Sequence, residues 1–280
     1  MTVQFSPVIA ANERGNGMFS VKAIDLESLG ESASPIIVLD HFRVRGQPFT
    51  PHPHAGFSAV TCVLEDSAAA LRSRDSLGND IVVGPGGIVW TQSGSGVIHH
   101  EVPAEADREL HGLQIFVNLS ARNKLLAPKM LRLAGGDVPE WRSEVGDRVR
   151  VFAGSFEGVT SPLVPAEPFD LLEVRLRRAI DFTLREDHNA LVYVIEGTIV
   201  VSADGRAQEV ASDHAMAFQG DGGRVKIAAF QPAHVVVLSG AAIREPVVVD
   251  GPFIMNERPQ IEAAIARYRA GSMGRLEALR

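Results

Sequence analysis

The sequence predicts an all-β protein made of two antiparallel sandwich or barrel units in tandem. Short runs rich in β-branched residues recur along the chain: SPIIVLD, SAVTCVLE, NDIVVG, GLQIFVNL, LVYVIEG, TIVVSADG, RVKIAAF and HVVVLSG. Gly, Asp, Asn or Pro lies near most of their ends, as strands closed by tight turns require. The runs fall into two groups, about 36–119 and 166–249. A repeat of strand and long helix, which would signal a doubly wound fold, is absent.

Taken in order, the first group implies an N-terminal barrel over residues 1–130. KLLAPKMLRLAGGDVPEWRSEVGDRVR mixes turn residues with short apolar steps, and residues 131–165, which begin within it, read as a linker or interdomain extension. The second group implies a C-terminal barrel within 166–280. TCVLEDSAAAL and VYVIEGTIVVS could occupy equivalent strand–turn–strand positions, a weak sign of duplication. NERPQIEAAIARYRAG then predicts one helix, with Ile261, Ile265 and Tyr268 on a stripe beside Ala264. Pro259 suits its first turn and Gly271 its C-terminal cap. The helix is assigned with the second barrel.

The 280 residues carry a net charge of -7, which argues against a broad nucleic-acid footprint. EVRLRRAIDFTLRED is locally basic, but its arginines alternate with apolar residues as on a half-solvated strand. No apolar run is long enough to span a membrane. MTVQFSPVIAANERGNG lacks a basic head followed by an apolar core, so no secretory signal is expected. A single cysteine, Cys62, excludes an intrachain disulfide and fits a reducing cytoplasm.

The chemistry concentrates in PHPHAGFS and SGVIHHEVP. Residues i and i+2 of a strand share a face, so His52 and His54 point together, as do His99 and Glu101. Three imidazoles and a carboxylate suit one divalent transition metal and leave positions open for substrate or dioxygen. Iron, manganese, nickel, copper and zinc all fit that donor set. A bulge would exchange His100 for His99; parity with Glu101 selects His99. Cys62 shares the parity of His52 and His54 if the strand is unbroken, and is a pocket candidate or a small buried residue. Trp90 is a candidate aromatic wall, and Gln114 a candidate hydrogen-bond partner of the site. The glycines of VVGPGGIVW and TQSGSGVIHH read as turns, since neither stretch runs into the helix a phosphate loop needs.

These segments resemble the pirin family, a branch of the cupin superfamily. The resemblance rests on LDHF at 39–42, HPHAGF at 52–57, RDSLGN at 74–79, GSGVIHHEVP at 94–103, LHGLQIFVNL at 110–119 and GPFIMN at 251–256, in order along nearly the entire chain. It implies a bicupin: two jelly-roll, or double-stranded β-helix, barrels, the first holding an iron-type site on His52, His54, His99 and Glu101. Iron(II) is the favoured ion on this basis. The second barrel, with only His188, His214 and His234 widely spaced, is expected to lack a complete site. Ala55 and Ser58 stand where the family pattern HPHRGFE has arginine and glutamate, which removes two charges expected to flank the cavity. Asp66 replaces a usual glycine.

Some bacterial pirins resemble quercetin 2,3-dioxygenases. The resemblance therefore implies an oxidoreductase that opens the central ring of a flavonol or similar small aromatic substrate with dioxygen, releasing carbon monoxide. Glu101 would act as the catalytic proton acceptor, with Phe57 and Trp90 as pocket walls. Eukaryotic pirins resemble metal-dependent transcription cofactors, which implies the competing role: a regulatory module binding a protein partner without turnover.

Overall fold

The computed structural model describes residues 2–279. The chain is an all-β bicupin-like protein with one α-helix among the described residues, Arg258–Arg269. Among the described residues, no helix is long and apolar enough to cross a membrane.

Two compact units form, and neither is a continuous stretch of chain. The first comprises Glu13–Ala23, Ile36–Asp137 and Ile243–Arg280; the second comprises Met1–Asn12, Ile24–Pro35 and Val138–Ala242. This differs from the sequential division at 130 and 165, and the reason is strand pairing. Gln4–Phe5 and Ile9–Ala10 pair with the His214–Gln219 strand of the second unit. Lys129–Leu133 pairs with Ile88–Gln92 in the first unit, whereas Glu140–Arg142 and Arg148–Ala153 extend a sheet of the second. The supposed linker is therefore strands. The helix also belongs to the first unit: its buried Ile261 and Ala264 pack with Ala55, Ile98, Phe253 and Met255. Its N-terminus carries a capping box between Glu257 and Gln260, with Pro259 in the first turn. Tyr268, expected on the buried stripe, is exposed.

In the first unit a seven-stranded antiparallel sheet runs in the order Lys129–Leu133, Ile88–Gln92, Phe57–Val63, Leu110–Asn118, Ile36–Val44, Phe19–Ala23, Asn12–Gly15. A four-stranded sheet runs His52–His54, Val97–Pro103, Leu71–Asp75, Asp80–Val83. Alternation sends Phe42, Val44, Val63, Val89 and Leu110 of the larger sheet into one apolar cluster with Leu71 and Val83 of the smaller. The cluster fills only part of the interior, and the remainder is the cavity described below.

The second unit repeats the plan with eight and four strands. Its interior is packed by aliphatic and aromatic side chains, including Val149, Leu172, Phe182, Val192, Ile199, Met216, Phe218 and Val237. His234 and Arg150 hydrogen-bond the buried Glu173 carboxylate, at 2.8 and 2.9 Å. His188 and His214 bond nearby backbone carbonyls.

Candidate metal centre

Two strands supply the centre. His52–His54 pairs antiparallel with Val97–Pro103, placing His52 opposite His99 and His54 opposite Val97. Period-two alternation then brings the three imidazoles onto one face. Their ring centroids lie 4.5–4.8 Å apart, and one nitrogen from each falls within 4.8 Å of the others.

His52 Nδ1 donates to the Thr50 carbonyl at 2.8 Å. A carbonyl only accepts, so the lone pair of His52 resides on Nε2. That Nε2 is 3.2 Å from Nε2 of His99. Two nitrogens each ~2.1 Å from a shared ion are separated by about 3.0 Å at a right angle and about 3.4 Å at the tetrahedral angle. The observed spacing fits that range. Burial, reinforced by His52, pushes the His54 pKa down to about 3, against the opposing pull of the Pro252 carbonyl. Burial likewise holds His99 well below the ordinary imidazole value, with His54 and His52 adding to the effect. Neutral imidazoles are what a divalent ion requires of its ligands. The donor set fits a divalent metal.

Glu101 shares the parity of His99 and lines the same cavity, but it stands outside the close three-histidine group. Its Oε2 lies 2.5 Å from Thr61 Oγ1, and its Oε1 accepts from Ser73 Oγ at 3.1 Å. Burial pushes its pKa up, and these two hydroxyls pull it back. Thr61 Oγ1 is also 3.2 Å from Gln114 Oε1, while Gln114 Nε2 donates to the Val60 carbonyl. One hydroxyl proton cannot serve both neighbours. With Glu101 ionised it goes to the carboxylate; with Glu101 protonated, the acid donates to Thr61 and Thr61 to Gln114.

The cavity is about 260 Å³, near the lower end of small-molecule sites. Val21, Phe42, Val44, Leu71, Leu110 and Phe116 give it apolar walls, and Phe49 and Asp40 complete them. Of the sequence candidates, Gln114 lines it as expected. Cys62, Trp90 and Phe57 do not. Gly56, at φ +87°, breaks the run between His54 and the Phe57–Val63 strand, so the parity carried forward from His52 fails. Thr61 therefore faces the cavity, and Cys62 falls on the opposite face of the sheet. Trp90 is the register partner of Val60 and shares that outer face. Phe57 packs instead against the His54 and Phe116 rings, 5.0 and 4.5 Å away by centroid. Thr61, Ser73 and Asp40 were missed by the sequence reading; the break at Gly56 was the available signal for Thr61.

His100 points away from the cage, and its Nε2 donates to the Phe49 carbonyl at 2.9 Å. Ala55 is buried in the helix-side cluster, and Ser58 is buried on the outer parity of its strand. Neither lines the cavity, so these departures from the family pattern leave its walls unchanged. Ala55 also explains the GPFIMN stretch. Its N–H donates to the Pro252 carbonyl at 3.3 Å, and its carbonyl accepts from Ile254 N at 3.0 Å, pinning the chain directly after His54.

Residues 19–117 match the family model described as Pirin, and residues 171–274 match that of the pirin C-terminal cupin domain. A Pseudomonas aeruginosa protein bearing a provisional quercetin 2,3-dioxygenase name is 34% identical over 86% of this chain and 87% of its own length. Human pirin is 30% identical over 87% of this chain and 84% of its own length. The crystal structure of a quercetin 2,3-dioxygenase from Acinetobacter baumannii superposes with a TM-score of 0.86 at 24% identity, covering 98% of this chain and 99% of that one; at that identity it speaks for the fold. Carrying both cupin halves and a three-histidine cage in the first, the chain belongs to the pirin family.

Proposed function

We propose that the chain is a metal-dependent dioxygenase of the quercetin 2,3-dioxygenase type, opening the central ring of a flavonol or similar phenolic. The observation that carries this reading is a cage of three histidines, with burial lowering the pKa of His54 and His99, opening onto an apolar cavity with a buried carboxylate beside it. The 34% identity to the Pseudomonas aeruginosa protein supports it.

In this reading His52, His54 and His99 hold one divalent ion, with iron(II) the favoured occupant and Glu101 the fourth side chain of the centre. Such an ion would supply Lewis acidity that lowers the pKa of a phenolic hydroxyl. Glu101 accepts the proton of the substrate hydroxyl. Its burial makes it a stronger base than a solvated glutamate, and Thr61 and Ser73 hold its two oxygens in place. Phe42, Phe116, Leu71 and Leu110 exclude water and pack a flat aromatic ring. Once Glu101 has taken the proton it donates to Thr61, whose own hydroxyl then turns to Gln114 Oε1.

Oxygen uptake with quercetin by anaerobically iron(II)-loaded protein tests the proposal. Uptake stoichiometric with flavonol loss, release of carbon monoxide, and loss of both in a His52→Ala, His54→Ala variant are expected. Absence of uptake with measured full metal occupancy would overturn the flavonol assignment.

A further inference from the structure

The cavity contains a carboxylate that the proposed chemistry does not use. Asp40 lines it from the Ile36–Val44 strand, on the parity of Phe42 and Val44. Its register partner on the Leu110–Asn118 strand is Gln114, whose partner on the Phe57–Val63 strand is Thr61. Asp40, Gln114 and Thr61 therefore form one polar row across three adjacent strands of a wall otherwise built from Val21, Phe42, Val44, Leu110 and Phe116. The row leads from Glu101, through the Thr61 and Gln114 contacts, to the strand of Asp40.

Thr61 and Gln114 hydrogen-bond within the wall, to Glu101 and to the Val60 carbonyl. The Asp40 carboxylate makes no hydrogen bond or salt bridge among the described residues, and only its backbone is paired. Burial raises its pKa, and the attraction of Arg14 offsets only part of that. A carboxylate in an apolar cavity wall with no protein donor beside it is placed to be completed by a ligand. Neighbouring strands lie about 4.8 Å apart, so the Asp40 strand is roughly 10 Å from that of Thr61. Asp40 thus faces a part of the cavity two strands removed from Thr61, where a ligand with one hydroxyl at the metal cage can place a second on another ring.

We infer that Asp40 is a specificity residue of the cavity, accepting a hydrogen bond from a second hydroxyl of a phenolic substrate, on the ring remote from the hydroxyl at the metal cage. The inference rests on the dioxygenase reading for the identity of the substrate and on the polar row for the position of the contact. A hydrogen bond to a carboxylate in an apolar wall discriminates by roughly 10- to 100-fold against a ligand lacking the donor.

The test is equilibrium binding under anaerobic conditions to zinc(II)-loaded protein, where no turnover intervenes. Quercetin is compared with 3-hydroxyflavone, which keeps only the hydroxyl of the central ring. The wild type is expected to prefer quercetin by roughly 10- to 100-fold, and Asp40→Asn and Asp40→Ser to shrink that ratio by tenfold or more. The same ratio is read with 4,4′-dihydroxybiphenyl, whose two hydroxyls sit on separate rings, against 4-hydroxybiphenyl. Full zinc content and an unchanged circular dichroism spectrum certify the variants. A ratio that survives both substitutions overturns the inference. If neither flavonol binds the wild type, the flavonol reading fails by itself, and the dihydroxybiphenyl ratio decides the role of Asp40. Failure of all four probes to bind the wild type overturns the role as well.

Discussion

His52 and His99 face each other across one antiparallel strand pair, with their Nε2 atoms 3.2 Å apart and the outer nitrogen of His52 tied to the Thr50 carbonyl. The backbone register, rather than flexible side-chain reach, sets the spacing of these two donors. Replacing His99 with alanine leaves the pair without a shared ligand position. Affinity for cobalt(II) or nickel(II), measured calorimetrically, is expected to fall by at least about 100-fold, beyond what loss of an outer hydrogen-bond partner costs. Retention of wild-type affinity in His99→Ala would remove this residue from the centre.

The buried histidines also tie the metal-free fold to pH. His54 titrates at about 3 when folded, against an ordinary value near 6.5 when unfolded. Between those values the unfolded chain binds a proton that the folded chain does not, so this contribution to stability declines as pH falls below about 6.5. Glu101, with its raised pKa, acts in the opposite direction above the ordinary carboxylate value. The histidine contribution is therefore read as a difference. From pH 6.5 to 5.5, metal-free wild type is expected to lose about 1 kcal/mol more than His54→Ala in urea unfolding. Parallel pH profiles for the two proteins would refute the link.

Thr61 and Ser73 donate to opposite oxygens of Glu101 and favour its ionised form. Thr61→Val keeps the shape of the side chain and removes that donor, so the Glu101 pKa rises further. If ionised Glu101 accepts the substrate proton, the acid limb of the kcat/KM profile shifts to higher pH, and kcat falls by roughly tenfold at neutral pH. A change in kcat with an unmoved limb would indicate that Thr61 only shapes the wall.

Much of this centre was legible in the sequence because its logic is local. Two HxH-type pairs on strands obey period-two alternation, and that parity alone separated His99 from His100. The unit boundaries were not legible. Gln4–Phe5 and the Arg258–Arg269 helix join units far from them in sequence, and nothing in their own pattern names a partner strand or face. The pocket walls were half legible. Gln114 was found because its strand is unbroken, whereas extending parity through the positive φ of Gly56 exchanged Thr61 for Cys62.

That exchange gives a direct check. Cys62 is buried on the face away from the cavity. Cys62→Ala removes one sulfur from a packed layer and is expected to cost about 1–2 kcal/mol in stability. Metal content, and kcat/KM measured with any accepted substrate, should stay within twofold of wild type. A selective loss of metal would place the thiol at the centre after all.

Gly56 tests the coupling between the C-terminal segment and the cage. Its backbone sits at φ +87°, and a Cβ there would run into the Ile254 carbonyl and crowd Met255 Sδ. The buried Lys124 ammonium bridges the same two backbones, donating to the carbonyls of Gly56 at 2.9 Å and Ile254 at 3.1 Å, and to Asn118 Oδ1 at 2.6 Å. Gly56→Ala must therefore either strain the backbone two residues after His54 or push the 252–254 segment away. An unfolding cost of more than about 2 kcal/mol is expected, together with weaker metal binding, because relief of the clash moves the end of the His52–His54 strand. Lys124→Met separates the two effects. It leaves the φ of Gly56 unstrained but deprives three buried oxygens of their shared donor, so stability should fall by about 2–4 kcal/mol. If the clamp positions His54, both variants lose metal affinity; if only Gly56→Ala loses it, backbone conformation at residue 56 sets the cage and the lysine merely secures the fold.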